Sequence, residues 1–223
     1  MKNLVIYGDI HGCLSSFVKL RKQINPSYED HEICVGDFIT RGPKSIDTIR
    51  YLRENNISSV KGNHEDKIVR YIEHSSLNSP NPITLNDDEK NIVDSLSSKD
   101  IDFLMSLPNF KKINKVTVVH AGLMNHNNLD DLSKDEIKKI MRLRYISPDG
   151  KFIPYGEENE HSIFWADIYD GNQGFVVYGH QNFDDVRAKE NSLGIDTGCI
   201  YGNKLTAAIF EDTNILNYSI IQT

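Results

Sequence analysis

The sequence is poor in cysteine and has no long run of apolar residues. Its three cysteines, Cys13, Cys34 and Cys199, are scattered and form no CxxC pair, which is typical of a reducing compartment. No apolar run approaches the roughly 18 residues of a membrane-spanning helix, and residues 4–7 are too few for the core of a signal peptide. We therefore expect a cytoplasmic protein with no membrane partner.

An excess of positive charge is also missing. The chain has 25 Lys and Arg against 32 Asp and Glu, a formal net charge of −7, whereas a protein that coats duplex nucleic acid is usually basic. We therefore expect no duplex nucleic-acid partner. Phosphorylated substrates stay open, because bound cations can reverse the local sign of charge. The 223 residues, 39% hydrophobic and 26% charged, predict a single globular domain over 1–223.

In the first third of the chain, short apolar runs alternate with segments whose apolar residues are spaced as in a helix. Each run ends at a glycine and predicts a buried strand, and apolar residues with helical spacing follow the three runs from about residues 14, 43 and 68. Strand, loop and helix repeated three times predict a largely parallel sheet. The three predicted strands are 4–7, 33–35 and 57–60.

Residues 75–110 interrupt this alternation. A polar loop with prolines precedes two predicted helices, 87–95 and 99–107, which we interpret as a small helical cap insertion. Further on, residues 133–143 predict a helix that begins with a capping box, and 146–164 have the composition of a loop. The remaining predicted strands are 110–113, 115–119, 175–178, 205–210 and 215–221.

Polar residues follow the predicted strands in five loops. In open α/β sheets, the carboxyl ends of the strands are where ligands bind. Each loop alone has an ordinary explanation, since Asp beside Gly is a common turn residue and Asn before a helix can cap it. Five such loops in order instead favour one shared polar site. The loops read GDIHG (8–12), GDFITRGP (36–43), KGNHE (61–65), HAG (120–122) and GH (179–180).

Together, these loops resemble the GDxHG, GDxxxRG, GNHE, HAG and GH motifs of the phosphoprotein phosphatase branch of the calcineurin-like metallophosphoesterases. The segment GIDTGC at 194–199 extends the resemblance, which covers nearly the whole chain. It implies an α/β sandwich with central β-sheets flanked by helices. It also implies a hydrolase of phosphoric esters or anhydrides that binds two divalent metal ions, with Mn²⁺ expected and Fe or Zn²⁺ as alternatives.

The resemblance also implies the metal ligands. Two metals about 3.5–4 Å apart can clamp the attacking and leaving oxygens, and a hydroxide that bridges them would be the nucleophile. The chemistry agrees, because a carboxylate can bridge two metals and because Asp9 and His11 share one side of an extended segment. The implied ligands are Asp9 and His11 for the first metal, Asp37 as the bridge, and Asn63, His120 and His180 for the second.

Other implied roles concern the proton and the phosphate. His64 resembles the general acid that protonates the leaving oxygen, and Arg41 resembles a phosphate-binding arginine, whose guanidinium suits two phosphate oxygens. Asp196 is either a group behind the metal ligands or a tight-turn residue. The further phosphate-binding candidates are Asn63, Arg142 and Arg144. For the two arginines, a solvated helix end explains the sequence equally well.

The sequence departs from the protein-phosphatase form at Thr40, where GDxxDRG has an aspartate, and at Lys61, where RGNHE has an arginine. Thr40 cannot stabilise an imidazolium as a carboxylate would, so either another acid supports His64 or the leaving group needs little protonation. An anhydride leaves as a phosphate. The departure therefore favours dinucleoside polyphosphates or similar nucleotide or polyphosphate substrates.

The Arg-Gly-Pro ending at residues 41–43 also resembles symmetrical diadenosine tetraphosphatases and ApaH-like phosphatases. Glu65 instead follows the protein-phosphatase form, so a serine/threonine protein phosphatase with a phosphoprotein substrate is the alternative. A catalytically silent module that binds metal or phosphate is an alternative of a different class.

Overall fold

The computed structural model describes residues 3–214 and 216–223. The strands are β1 (Leu4–Tyr7), β2 (His31–Cys34), β3 (Ser58–Ser59), β4 (Phe110–Ile113), β5 (Val116–Val119), β6 (Tyr145–Ile146), β7 (Phe152–Ile153), β8 (Ile163–Phe164), β9 (Phe175–Tyr178), β10 (Arg187–Ala188), β11 (Ser192–Gly194), β12 (Thr206–Asp212) and β13 (Asn217–Gln222). The helices are α1 (Leu14–Ile24), α2 (Ser45–Glu54), α3 (Asn63–Ser75), α4 (Asp87–Ser95), α5 (Ser98–Ser106) and α6 (Lys134–Ile140).

These strands form two five-stranded sheets and a smaller third sheet. The first sheet has the order β13-β12-β1-β2-β3, in which β1, β2 and β3 are parallel and β12 pairs antiparallel with β1. The second has the order β10-β11-β9-β5-β4, with β5, β9 and β11 parallel and an antiparallel strand at each edge. Each large sheet thus brings the carboxyl ends of parallel strands to one edge.

The two large sheets pack face to face, and the helices α1, α2, α3 and α5 cover the outer side of the first sheet. Because side chains alternate along a strand, Leu4 and Ile6 of β1 face the layer between the sheets, while Val5 and Tyr7 face the helices. On the outer side of the second sheet, Tyr178 packs with Trp165. The fold is therefore the predicted α/β sandwich.

The helices of the 75–110 insertion pack against α2 and α3. Leu104 of α5 is fully buried in the core that covers the first sheet. The buried carboxylate of Asp100 lies 3.5 Å from the guanidinium groups of both Arg50 and Arg53 on α2. The insertion therefore thickens the helical layer and contacts the helix that begins at Asn63.

Some predicted elements were wrong or incomplete. Residues 146–164, predicted as a loop, contribute β7 and β8 to the third sheet, whose order is β7-β6-β8. Strands of two residues have no periodicity to detect, which also explains why β10 was missed. The short β11 was missed too. The last predicted strand, 215–221, begins at Asn217 in the structure, and Ile215 lies outside the described residues. Nowhere in the described chain does a helix combine the length and apolar character needed to cross a bilayer.

Candidate active site

The polar loops of both large sheets meet at one place. Asp9 and Asp37 follow the parallel strands β1 and β2, and His120 and His180 follow the parallel strands β5 and β9. The backbone N–H of His180 donates to the Asp9 carboxylate at 3.1 Å, which joins a loop of the second sheet to a loop of the first. The site is therefore assembled from residues that are far apart in the sequence.

Asp37 lies at the centre of this site. Its Oδ1 accepts the backbone N–H of His64 at 3.1 Å, while its Oδ2 is 3.2 Å from His120 Nε2 and 3.8 Å from the Nε2 atoms of His11 and His64. Two groups of ligand atoms therefore share Asp37: one with His11 and His64, the other with His120 and His180. Asp37 is therefore the residue that the two groups have in common.

The atoms around His120 test whether these residues suit a cation. His120 Nδ1 donates to the carbonyl oxygen of Val35 at 2.9 Å, which directs Nε2 into the site. Burial opposes protonation of His120, but the Asp37 carboxylate outweighs it and raises the pKa of the ring. His120 Nε2 is 3.2 Å from Asn63 Oδ1, His180 Nδ1 and Asp37 Oδ2. Two nitrogens and two oxygens that can be ligands therefore converge at one place, as a divalent cation requires. The residues present therefore fit a metal.

Two of the histidines are held in the neutral form that binds metals. Burial lowers the pKa of His11 to about 4, and it lowers the pKa of His180 well below the ordinary imidazole value. The Nε2 atom of His180 is also buried with no hydrogen-bond partner among the described residues. Neutral rings with available lone pairs are what a divalent cation requires.

The carboxylates of Asp9, Asp37 and Asp196 lie close enough to affect one another's pKa values. Burial opposes ionisation of Asp37, yet His120 and His64 hold its pKa well below the usual range. Burial and the neighbouring charges of Asp196 and Asp37 raise the pKa of Asp9 well above the usual range. A bound cation would relieve this repulsion between carboxylates.

Asp9 and His11 lie close together, but not for the predicted reason. The Asp9 Oδ2 and His11 Nε2 atoms are 4.0 Å apart, although Asp9 belongs to neither of the two groups of ligand atoms that share Asp37. However, the segment is not extended, because His11 has a left-handed backbone with φ 45°. Asp37 and His180 are also left-handed, with φ of 48° and 67°. Such conformations are uncommon for non-glycine residues and cluster at functional sites.

Glu65 organises the Asp37 loop through the backbone. Its buried carboxylate accepts N–H groups from Asp37 at 2.8 Å and Gly62 at 2.9 Å through Oε2, and from Phe38 at 3.1 Å and Ile39 at 3.2 Å through Oε1. Four donors on one carboxylate join the loop after β2 to the start of α3. Glu65 therefore positions the site without facing the substrate pocket.

Two motif glycines make room for carboxylates. A Cβ atom on Gly62 would collide with Asp37 Oδ1, and a Cβ atom on Gly179 would collide with Asp9 Oδ1. Any larger residue at either position would displace a candidate metal ligand. The glycines of the GNHE and GH motifs are therefore explained by close approach.

His64 contacts the residue at which the sequence departs from the protein-phosphatase motif. Thr40 Oγ1 lies 2.7 Å from His64 Nδ1, so a hydroxyl orients the ring where that motif would place a carboxylate. Burial lowers the pKa of His64, and the charge of Arg41 lowers it further against the opposing effect of Asp37. The hydroxyl fixes the orientation of the ring without adding a negative charge.

A cavity of about 590 Å³ opens over these residues, and three arginines line it. Arg41 is exposed at its mouth. Arg142 Nη2 is 3.3 Å from the Asp66 carboxylate, and Arg144 Nε donates to Gln181 Oε1 at 2.8 Å. The structure thus brings the three predicted phosphate-binding arginines together, and it gives an acidic protein a locally cationic pocket. The cavity is also lined by His11, Asn63, His180 and Asp196.

Asp196 combines the two roles that the sequence left open. Its Oδ1 accepts the Gly198 N–H at 3.0 Å, which closes a tight turn, and its charge acts on the nearby Asp9.

Sequence reasoning missed Asp66 and Gln181, which contact Arg142 and Arg144 respectively. Their one available signal was position, since each directly follows a motif residue.

Comparisons with known proteins agree with this geometry. Residues 2–215 match the family described as calcineurin-like phosphoesterase. The chain is 28% identical over 230 residues to the asymmetrical bis(5'-nucleosyl)-tetraphosphatase PrpE of Bacillus subtilis, covering 93% of this chain and 90% of that protein. It is also 28% identical over 255 residues to the symmetrical bis(5'-nucleosyl)-tetraphosphatase of Wigglesworthia glossinidia brevipalpis, covering 91% and 93%.

Solved structures show the same fold. A crystal structure described as a candidate diadenosine tetraphosphatase has a TM-score of 0.81 at 25% identity, and the match covers 100% of this chain and 93% of that one. A protein serine/threonine phosphatase from Saccharomyces cerevisiae has a TM-score of 0.65 at 17% identity, with coverage of 99% and 79%. The match over 2–215 confirms the resemblance predicted from the motifs: the chain belongs to the calcineurin-like phosphoesterase family and is a phosphoester hydrolase.

Proposed function

We propose that the chain hydrolyses phosphoanhydride bonds in dinucleoside polyphosphates or similar nucleotide or polyphosphate substrates. The observation that carries this proposal is the presence of three arginines in the pocket that is also lined by the candidate ligands His11, Asn63 and His180. One phosphoryl group has few oxygens for guanidinium groups, whereas a chain of phosphates offers partners to all three. The tetraphosphatase activities named for the relatives support the same substrate class.

The candidate ligands would hold two divalent cations, with Mn²⁺ expected and Fe or Zn²⁺ as alternatives. When bound, such cations supply Lewis-acid polarisation of a phosphoryl oxygen and lower the pKa of water. Asp37 Oδ2 lies 3.8 Å from His11 Nε2 and 3.2 Å from His120 Nε2, so its carboxylate is placed to serve as a ligand of both cations. The proposed sites are Asp9, His11 and Asp37 for one cation, and Asp37, Asn63, His120 and His180 for the other.

The remaining residues act on the substrate. Arg41, Arg142 and Arg144 would neutralise the phosphates and hold the polyphosphate chain, with Asn63 adding an amide group. His64 would donate a proton to the leaving oxygen, while Thr40 holds its Nδ1. A phosphate leaving group needs little protonation, so a hydroxyl at Thr40 suffices for an anhydride but supports the cleavage of an alkyl ester poorly.

The test compares hydrolysis of diadenosine tetraphosphate and of a phosphothreonine peptide by the manganese-loaded protein. We expect a higher kcat/KM for the nucleotide. We also expect Asp37→Asn to lower kcat/KM for the nucleotide at least about a hundredfold, because the substitution removes a charge at the reaction centre. Circular dichroism should show that this variant is folded. The matched control is Asp149→Asn, since Asp149 is exposed in the loop before β7.

The other outcomes would indicate a different function or a different role for Asp37. Faster turnover of the peptide would favour the serine/threonine protein phosphatase. Tight metal binding with no turnover of either substrate would favour a silent binding module. Near-normal turnover by Asp37→Asn would exclude the bridging role of Asp37. The products, ATP with AMP or two ADP, would distinguish asymmetrical from symmetrical cleavage.

A further inference from the structure

The mouth of the pocket carries two exposed aromatic rings. Tyr155 is 82% exposed and Tyr201 is 66% exposed, and both line the cavity that is also lined by the candidate ligands His11, Asn63 and His180. Three further apolar residues, Phe152, Pro154 and Ile200, line the same cavity. A pocket with a polar floor and apolar side chains at its mouth fits a ligand with a charged end and a flat, less polar end.

Each tyrosine contacts a different arginine of the pocket. Arg41 Nη1 donates to the Tyr201 hydroxyl at 2.7 Å, and the guanidinium carbon of Arg144 lies 5.0 Å from the centre of the Tyr155 ring. Arg144 also contacts Gln181, the residue that follows His180. The arginines therefore link the centre of the site to the tyrosines at its mouth.

We propose that Tyr155 and Tyr201 bind a nucleobase of the substrate by stacking, while the adjacent arginines bind the phosphates that separate this base from the metal ligands. This inference rests on the proposed function, because it requires a nucleotide substrate. Base–aromatic stacking tolerates any base, since every base has a π-face, and a guanidinium beside the ring adds a cation–π contribution. The tyrosines would thus select nucleotides over other polyphosphates.

The placement of the rings argues against an aryl phosphate such as phosphotyrosine. In phosphotyrosine one oxygen joins the ring to the phosphorus, so the ring would lie directly beside the metal ligands. Those ligands are buried, with Asp9, His11 and Asp37 each at most 4% exposed, whereas the two tyrosines are at the mouth. A ribose and further phosphates span this separation in a nucleotide.

The test uses the manganese-loaded full chain with diadenosine tetraphosphate and inorganic tetraphosphate as substrates. We expect Tyr155→Ala and Tyr201→Ala to lower kcat/KM for the nucleotide about tenfold relative to inorganic tetraphosphate, chiefly through KM. We expect Tyr155→Phe and Tyr201→Phe to restore this ratio to within about twofold, because the ring is kept. The inhibition constant of AMP, relative to that of phosphate, should rise in the alanine variants alone.

Tyr28→Ala is the matched control, because Tyr28 is a 96% exposed tyrosine that is not among the residues lining this cavity. The inference is overturned if the alanine variants lower both activities equally, or if their ratio equals that of Tyr28→Ala. It is also overturned if a phosphotyrosine peptide, rather than the nucleotide, is the substrate that depends on the rings. If the unmodified protein does not cleave diadenosine tetraphosphate at all, the proposed function itself fails, and the two failures are thereby separated.

Discussion

The backbone at Thr40 and Arg41 is the most unusual local feature of the site. Both residues are left-handed, with φ of 66° and 64°, which is a strained conformation for a β-branched residue such as threonine. Hydrogen bonds hold this turn: the Thr40 N–H donates to Ser45 Oγ at 2.9 Å, and the Gly42 N–H donates to the Thr40 carbonyl at 2.7 Å. The turn directs Thr40 toward His64 and Arg41 toward the mouth of the pocket.

Replacement of Thr40 tests why a hydroxyl occupies this position. Thr40→Asp would place a carboxylate near His64 Nδ1 and raise the pKa of His64, so that the ring stays protonated to higher pH. We expect kcat/KM for a phosphothreonine peptide to rise about tenfold relative to diadenosine tetraphosphate, because the alkoxide leaving group gains from protonation. Kinetics with both substrates between about pH 5 and 9 measure this ratio.

The matched control for this variant is Thr40→Asn. Asparagine has the shape of aspartate and, like it, tolerates the left-handed region, but it carries no charge. An equal rise in both variants would show that relief of backbone strain, rather than charge, is responsible. An unchanged ratio in Thr40→Asp would contradict the leaving-group argument.

Among the elements, the helix pair α4–α5 supports the site from the outer side of the helical layer. It packs on α2 and α3, and α3 begins with Asn63 and His64. Its contribution is therefore to the stability of the helical layer that positions these residues. The buried Leu104 is the side chain through which α5 joins that core.

Leu104→Ala should reduce the free energy of unfolding by about 2–5 kcal/mol, because it leaves a cavity in a fully packed core. The next residue supplies the control: Met105 is 41% exposed, and Met105→Ala should change the unfolding free energy by less than about 0.5 kcal/mol. Urea denaturation followed by circular dichroism measures both. Equal effects of the two variants would mean that α5 does not belong to the core.

For the whole molecule, the candidate metal centre joins the two sheets. Its carboxylates and histidines come from loops of both, so a bound cation would oppose their separation as well as neutralise buried charge. Divalent cations should therefore stabilise the folded chain as a unit.

Mn²⁺ at about 100 times its Kd should raise the melting temperature by roughly 5–10 °C over chelator-treated protein. Asp37→Asn should lose most of this increase, whereas the exposed variant Asp149→Asn should keep it. Differential scanning calorimetry at several Mn²⁺ concentrations measures the shift. A melting temperature that does not depend on Mn²⁺ would contradict a metal centre between the sheets.

The sandwich and the residues that converge on its site could be predicted from the sequence, because each motif directly follows an apolar strand. The conformations of the motifs could not. The closeness of Asp9 and His11 depends on a left-handed residue, and alternation along a strand does not reveal such a turn. Contacts between distant residues were equally hidden, since Arg41 and Tyr201 are separated by 160 positions and no motif includes Tyr201.

The position of β12 next to β1 has a consequence for the order of events during synthesis. β1 precedes the loop that contains Asp9 and pairs with β12 from Leu4–Phe210 to Tyr7–Ala207. A ribosome adds about 5–20 residues per second, so β1 waits on the order of ten seconds or more for this neighbour. The first sheet can therefore close only after residue 210 has been made, and until then β1, the strand that leads to Asp9, can pair only with β2.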